Sequence, residues 1–179
     1  IGAEALRFSG GLNSSEVKYD SVGFNQVESF ASGQSDVVVV YAANEPIVLR
    51  AQGFDFDELR VADYEQLTAN GIVTSEMTIA NEPDLIRRMA RAFAKGIADA
   101  AADPEEAYQI SMKFVENLKD QDKDVQMQVL LVSIEFWGTE RIGYSNPQAW
   151  ENMNDLLVRM GQIPEPVDLS KAFTNDFVP

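Results

Sequence analysis

The stretch Asp36-Val37-Val38-Val39-Val40 runs directly into Tyr41-Ala42-Ala43-Asn44-Glu45-Pro46, and its reading decides the fold expected of this chain. Four consecutive β-branched residues behind the turn-forming Ser32-Gly33-Gln34-Ser35 predict a strand buried on both faces. Such strands belong to parallel sheets covered by helices. The polar cluster that follows predicts the opening of a helix. In open α/β sheets, ligands bind beyond the carboxyl ends of the strands. Residues Tyr41 to Glu45 are therefore where a ligand is expected.

On either side of that stretch, residues 1–63 alternate between helical and strand patterns. A first helix ends at Gly10-Gly11, a pair suited to a left-handed cap. Val17 to Val22 alternates apolar and polar as a strand does. Phe24 to Ala31 carries a short helix, Glu45 to Gln52 another that stops at Gly53, and Phe54 to Val61 a further strand. The order predicts an α/β fold with a doubly wound sheet and right-handed crossovers. From residue 64 the pattern turns helical after one strand at 70–74. Leu85, Met89, Phe93 and Ile97 recur every four residues in a helix predicted over Pro83 to Ala102. Asp103-Pro104 opens a second helix, with Tyr108, Ile110, Met112, Phe114, Val115 and Leu118 as its core candidates. Asp124 to Trp137 is a third, and Asn146-Pro147 opens a fourth that runs to Gly161. Two lobes are expected: residues 1–63 as lobe two, α/β and truncated at its start, and residues 64–179 as the returning part of lobe one, mostly helical, with the crossing at Val61 to Tyr64.

Composition narrows the function. The chain has 179 residues, 45% of them hydrophobic, which is enough for a real core. Its 29 acidic residues against 14 basic ones set a net charge of −15. That argues against nucleic acid, whose phosphates need clustered Lys and Arg, and against docking on an anionic membrane. There is no cysteine and no histidine, which removes disulfides, thiol nucleophiles, histidine acid–base catalysis and ordinary zinc sites together. No apolar stretch approaches the roughly 20 residues that cross a bilayer. The opening Ile1-Gly2-Ala3-Glu4-Ala5-Leu6 lacks a Met and an N-cap, and reads as the interior of a helix whose upstream part is missing.

Several motifs taken together resemble a known family. Ser21-Val22-Gly23-Phe24-Asn25-Gln26-Val27-Glu28 followed by Ala31-Ser32-Gly33-Gln34-Ser35-Asp36 is similar to a helix–turn–strand of type 2 periplasmic binding proteins. The closer resemblance is to the thiamine-pyrimidine and riboflavin group of ABC-transporter substrate-binding proteins. Tyr41-Ala42-Ala43-Asn44-Glu45-Pro46, Thr74-Ser75-Glu76-Met77-Thr78-Ile79 and Asp168-Leu169-Ser170-Lys171-Ala172-Phe173-Thr174-Asn175 fit as well. The resemblance covers nearly the whole chain, but the chain matches only the later two-thirds or so of such a protein. It implies an extracytoplasmic, two-lobed receptor without a cofactor, closing on a small heteroaromatic vitamin or precursor and passing it to a membrane permease. Fungal enzymes of the same family that make the thiamine pyrimidine depend on a cysteine-rich motif and a histidine. This chain has neither residue, so a receptor is expected instead of an enzyme. A ligand-sensing domain on the same fold is the remaining alternative. If the chain lacks part of lobe one, its helices from Pro83 onward expose apolar faces, and an oligomer is one way to cover them.

The ligand-binding candidates each carry a plainer reading. Glu45 can accept the N–H donors of an aminopyrimidine or of a flavin imide edge, yet acidic residues also favour the first turn of any helix. Asn44 offers a donor and an acceptor to a ring edge, and is equally a standard N-cap. Tyr41 can stack on a flat ring or sit half-buried as structure. Phe24 and Asn25 follow the preceding strand on the same edge, and Tyr64 and Asn70 flank the crossing point. Trp137 and Trp150 read as core. Asp120, Asp122 and Asp124 have the spacing of a calcium loop but lack its glycine and closing glutamate, so they read as a solvated turn and helix cap, and no metal site is expected.

Overall fold

A computed structural model describes residues 1–138 and 140–179. It divides into two compact units: Ile1–Ala69 with Ser145–Phe173, and Asn70–Tyr144 with Thr174–Pro179.

The expected α/β class, with a doubly wound sheet in one lobe of a type 2 periplasmic-binding-protein-like fold, is overturned. All regular structure among the described residues is helical. Residues 17–22, 37–40, 54–60 and 70–74 carry neither a helix nor a ladder. The reason lies in where a strand finds its hydrogen bonds. A helix satisfies its backbone within four residues, whereas a strand needs a neighbour from elsewhere in the chain. No backbone hydrogen bond joins residues 37–40 to another segment among the described residues. The valine run keeps only its period of two: Val37 and Val39 are 78% and 58% exposed, while Val38 and Val40 are half-buried. The run was expected as a strand buried on both faces, and that expectation fails: its β-branched side chains keep an extended alternation without a ladder.

In the first unit, α1 (Gly2–Ser9) packs on a short 3-10 turn at Val61–Asp63. The approach is close: a Cβ on Gly2 would lie 3.2 Å from Val61 Cγ2. α2 (Gln26–Ala31) packs against α3 (Glu45–Ala51), which buries Leu49. A long excursion then returns as the helix Pro147–Arg159, capped where Asn146 Oδ1 accepts from the Gln148 N–H at 3.0 Å. This helix buries Ala149 and Leu156. Its amides do the stitching. Asn152 Nδ2 donates to the Gln66 carbonyl at 2.9 Å. Asn154 exchanges two 3.0 Å bonds with the Val167 backbone, imitating one rung of a ladder. Trp150 stacks on Phe173 with ring centres 5.0 Å apart, so it packs as the sequence implied.

The second unit is a run of helices in sequence order. α4 (Glu76–Asn81) is capped by Ser75, and α5 (Pro83–Ala102) follows directly. α6 (Pro104–Ser111) is capped by Asp103, and α7 (Lys123–Trp137) by Asp122, whose Oδ1 accepts from the Asp124 and Val125 N–H groups. The helix Pro147–Arg159 of the first unit is α8 in this order. α5 packs against α4, α6 and α7. Burial is thin: Tyr108 and Ala94 are the buried apolar residues of this unit among those described. α6 ends at Ser111, and of the core positions proposed beyond it Phe114 and Val115 lie open to solvent, as does Ile110. Trp137, expected in the core, is 44% exposed near the end of α7. The stripe Leu85, Met89, Phe93 along α5 is also exposed, so among the described residues nothing covers the apolar period of that helix on this side. No helix is long and apolar enough among the described residues to cross a membrane.

Candidate functional site

The turn at residues 41–45 is closed by its own polar groups. The Tyr41 carbonyl accepts from the Asn44 N–H at 2.9 Å. Glu45 Oε2 accepts from the Tyr41 N–H at 3.0 Å, and Glu45 Oε1 from Asn44 Nδ2 at 3.3 Å. Tyr41, Asn44 and Glu45 are thus brought together, and the sequence spacing of four makes this possible. Asn44 occupies the N-cap position of α3 but makes no side-chain cap bond; its amide is spent on Glu45. Pro46 at the start of α3 needs no N–H partner, which leaves the carboxylate free to reach backwards.

The chemistry this leaves available is specific. The Tyr41 ring is 74% exposed and offers a face for stacking. Asn44 Oδ1, the side-chain amide oxygen, keeps its acceptor capacity. Each Glu45 oxygen uses one of its lone pairs within the turn and retains another. The turn therefore presents an aromatic face next to a carboxylate and an amide oxygen, a set suited to a flat ring with N–H groups on its edge.

Asn25 lies at the start of α2, also without a side-chain cap bond, and faces a hollow of about 410 Å³. Its other walls are Ser21, Val22, Glu28, Ser29, Ser32 and Gln34. Ser29 is buried, and its Oγ bonds Ser35 Oγ at 2.7 Å while its carbonyl accepts from the Gln34 and Ser35 N–H groups. This fold-back of Gln34 and Ser35 over α2 shapes the wall. Sequence reasoning found Asn25 here but not Ser29, Ser32 or Glu28. The signal available was Glu28, Ser29 and Ser32 at helical spacing, polar where a short helix would bury apolar groups. Phe24, beside Asn25, is fully exposed. Tyr64 closes the 3-10 turn at Val61–Asp63 and is 57% exposed; Asn70 opens the second unit on its surface. Neither is hydrogen-bonded to the 41–45 turn among the described residues.

A second polar cluster anchors the irregular segment between α1 and α2. Arg7 donates to Glu4 Oε2 from Nε at 3.1 Å and Nη2 at 2.7 Å, and from Nη1 to the Leu12 carbonyl at 2.7 Å. The Arg7 guanidinium, with help from the Tyr19 hydroxyl, holds the Glu4 carboxyl below the usual glutamate range, and desolvation first, then Glu4, pushes the Tyr19 hydroxyl up. This is architecture: it ties residues 12–19 onto α1.

With this geometry in hand, residues 3–107 match the family model described as NMT1/THI5 like, more than half of the chain. The chain belongs to the NMT1/THI5-like family. The match includes the 41–45 turn, the Asn25 hollow and all of α5. Across 98% of its length the chain is also 37% identical to the riboflavin-binding protein RibY of Chloroflexus aurantiacus. It spans about half the length of that relative (51%).

Proposed function

We propose that this chain serves a solute-binding protein that captures a small heteroaromatic vitamin or vitamin precursor, riboflavin or a thiamine pyrimidine. On this reading it binds without chemistry, outside the cytoplasm, and hands its cargo to the permease of an ABC transporter. The observation that carries the proposal is the 37% identity to a riboflavin-binding protein over 98% of the chain. The 41–45 turn supports it: Tyr41 stacks on the ring, Glu45 accepts an N–H from its edge, and Asn44 Oδ1 accepts another. Asn25, Phe24, Tyr64 and Asn70 remain secondary candidates for contacts with the rest of the ligand. A chain without histidine or cysteine lacks the residue types on which the family's pyrimidine-making enzymes depend, which favours a receptor over the enzyme alternative.

Two measurements test this. Native mass spectrometry followed by denaturing extraction reports a retained small molecule, and a flavin or pyrimidine is expected. Titration of riboflavin, followed by quenching of its own fluorescence, is expected to saturate, with Glu45→Gln weakening binding by about tenfold, equivalent to about 1.4 kcal/mol. A chain that carries nothing and leaves flavins and pyrimidines unaffected in both assays overturns the proposal. Saturable binding that Glu45→Gln leaves unchanged keeps the function and removes the turn from the site.

A further inference from the structure

A second hollow, of about 310 Å³, lies in the second unit between α5 and the residues after α7. Arg91, Lys95 and Arg141 line it, with Ala94, Ala98, Ile142 and Pro179 as its remaining walls. In a chain with 29 acidic residues and 14 basic ones, three basic side chains around one hollow leave it positive even against Asp99, which pairs with Lys95, and the carboxylate of Pro179, the last of the 179 residues. α5 prepares this positive charge, because it carries Arg87, Arg88, Arg91 and Lys95 against only Asp84 and Asp99.

The three cations are not equivalent. Lys95 bonds Asp99 one turn along the helix, so its charge is largely answered. Neither Arg91 nor Arg141 has a carboxylate within ion-pair distance among the described residues. Arg141 lies over the Tyr144 ring at 3.6 Å, which steadies the guanidinium by a cation–π contact without neutralising it. Its backbone is left-handed, with φ 52°, a conformation a non-glycine residue adopts at a cost. Ala94 and Ala98 keep the α5 side of the hollow low, so that groups entering it meet the guanidiniums before any bulky apolar side chain. Two unpaired planar forks around a small hollow are suited to bidentate recognition of an oxyanion.

We propose that this hollow is a phosphate site, taking a phosphate monoester group through Arg91 and Arg141, with Lys95 at its edge. It is separate from the 41–45 turn and independent of the vitamin-binding proposal. The hollow has room for the phosphate and part of the organic group that carries it, and its exposed mouth admits the remainder.

The test is a 1H–15N NMR titration of the 179-residue chain with inorganic phosphate, at ionic strength held constant with sodium chloride. Saturable shifts at the amides of residues 91–98 and 141–142 are expected. The double variant Arg91→Gln/Arg141→Gln should weaken binding by about tenfold or more, with its circular dichroism unchanged because both side chains are exposed. Lys95→Gln should cost far less, since that charge is already paired. Phenyl phosphate should bind at least as tightly as phosphate. The proposal is overturned by shifts that do not saturate, by shifts spread over all basic residues, or by a double variant that binds like the parent. A glutamate-rich peptide that binds these residues more tightly than either phosphate would also overturn it, making the surface one for docking an acidic protein segment.

Discussion

The two units reach order by different routes. The second is a sequence of helices, three of them capped by the side chain before them, Ser75 for α4, Asp103 for α6 and Asp122 for α7, while α5 opens on Pro83 without a side-chain cap. Its information is local, and nearly every boundary follows from hydrogen bonds within four residues. The first unit has only short helices before residue 69, and depends on a returning helix 80 or so residues away to hold it. Asn152 reaches back to Gln66, while Asn154 and Trp150 reach forward to hold Val167 and Phe173 of the following tail. A unit assembled locally tolerates the loss of a distant neighbour better than one assembled from sequence-distant contacts.

Four substitutions probe that difference, beginning with the largest expected effect. Leu156 is the largest fully buried side chain in the structure, at 1% exposure. Leu156→Ala should cost about 2–5 kcal/mol from lost transfer energy and the cavity left behind. The loss should appear in chemical denaturation of the first unit, with the α5–α7 amides still slow to exchange. Equal collapse of exchange protection in both units would show that they unfold as one and would end the distinction. Asn154→Ala should cost about 1–1.5 kcal/mol, because it removes both hydrogen bonds between the buried Asn154 amide and the Val167 backbone, whose groups water can then reach since Val167 is 51% exposed. Hydrogen exchange at the Val167 amide is the direct readout, and unchanged protection there would mean that the tail is held by other contacts.

Asp122→Ala tests the local unit. Removing this cap should cost about 1 kcal/mol and fray the first turn of α7, seen as faster exchange at Asp124 and Val125 and little change elsewhere. A loss as large as that of Leu156→Ala would mean that the cap carries tertiary structure too. The smallest expected effect on stability is Phe93→Ser. Phe93 is 55% exposed on the stripe it shares with Leu85 and Met89, so the change should stay within about 0.5 kcal/mol. Its readout is association: exposed apolar stripes attract partners, and sedimentation velocity should show less self-association in the variant. A parent chain that sediments as a monomer at all concentrations would remove oligomer formation as the way this stripe is covered.

The candidate site divides in the same way. Tyr41, Asn44 and Glu45 were legible because their interactions run over four residues or fewer, and the polar cluster before Pro46 marked the turn. The hollow beside Asn25 was not, since its shape comes from Gln34 and Ser35 folding back on Ser29. Nor was the Arg91–Arg141 pair, whose members are fifty residues apart and line one hollow between α5 and the residues after α7.

What the sequence determined by itself is where most of the longer helices begin. Gly10 marks the end of α1, and Pro83, Asp103-Pro104 and Asn146-Pro147 mark the starts of α5, α6 and α8, because caps and prolines act between near neighbours. α4 was not expected, and α6 stops at Ser111, short of the proposed core positions out to Leu118. The same local reading predicted a strand at Val37–Val40, and there it failed, because β-branched composition does not supply the neighbour a strand needs. A sheet exists only where two distant segments exchange backbone hydrogen bonds, and that pairing is a property of tertiary structure. It is also the tertiary structure that left the α5 stripe uncovered, exposed Trp137 and made Asn154 the substitute for a missing rung. Each of these depends on which distant surface arrives, and no local pattern encodes the arrival.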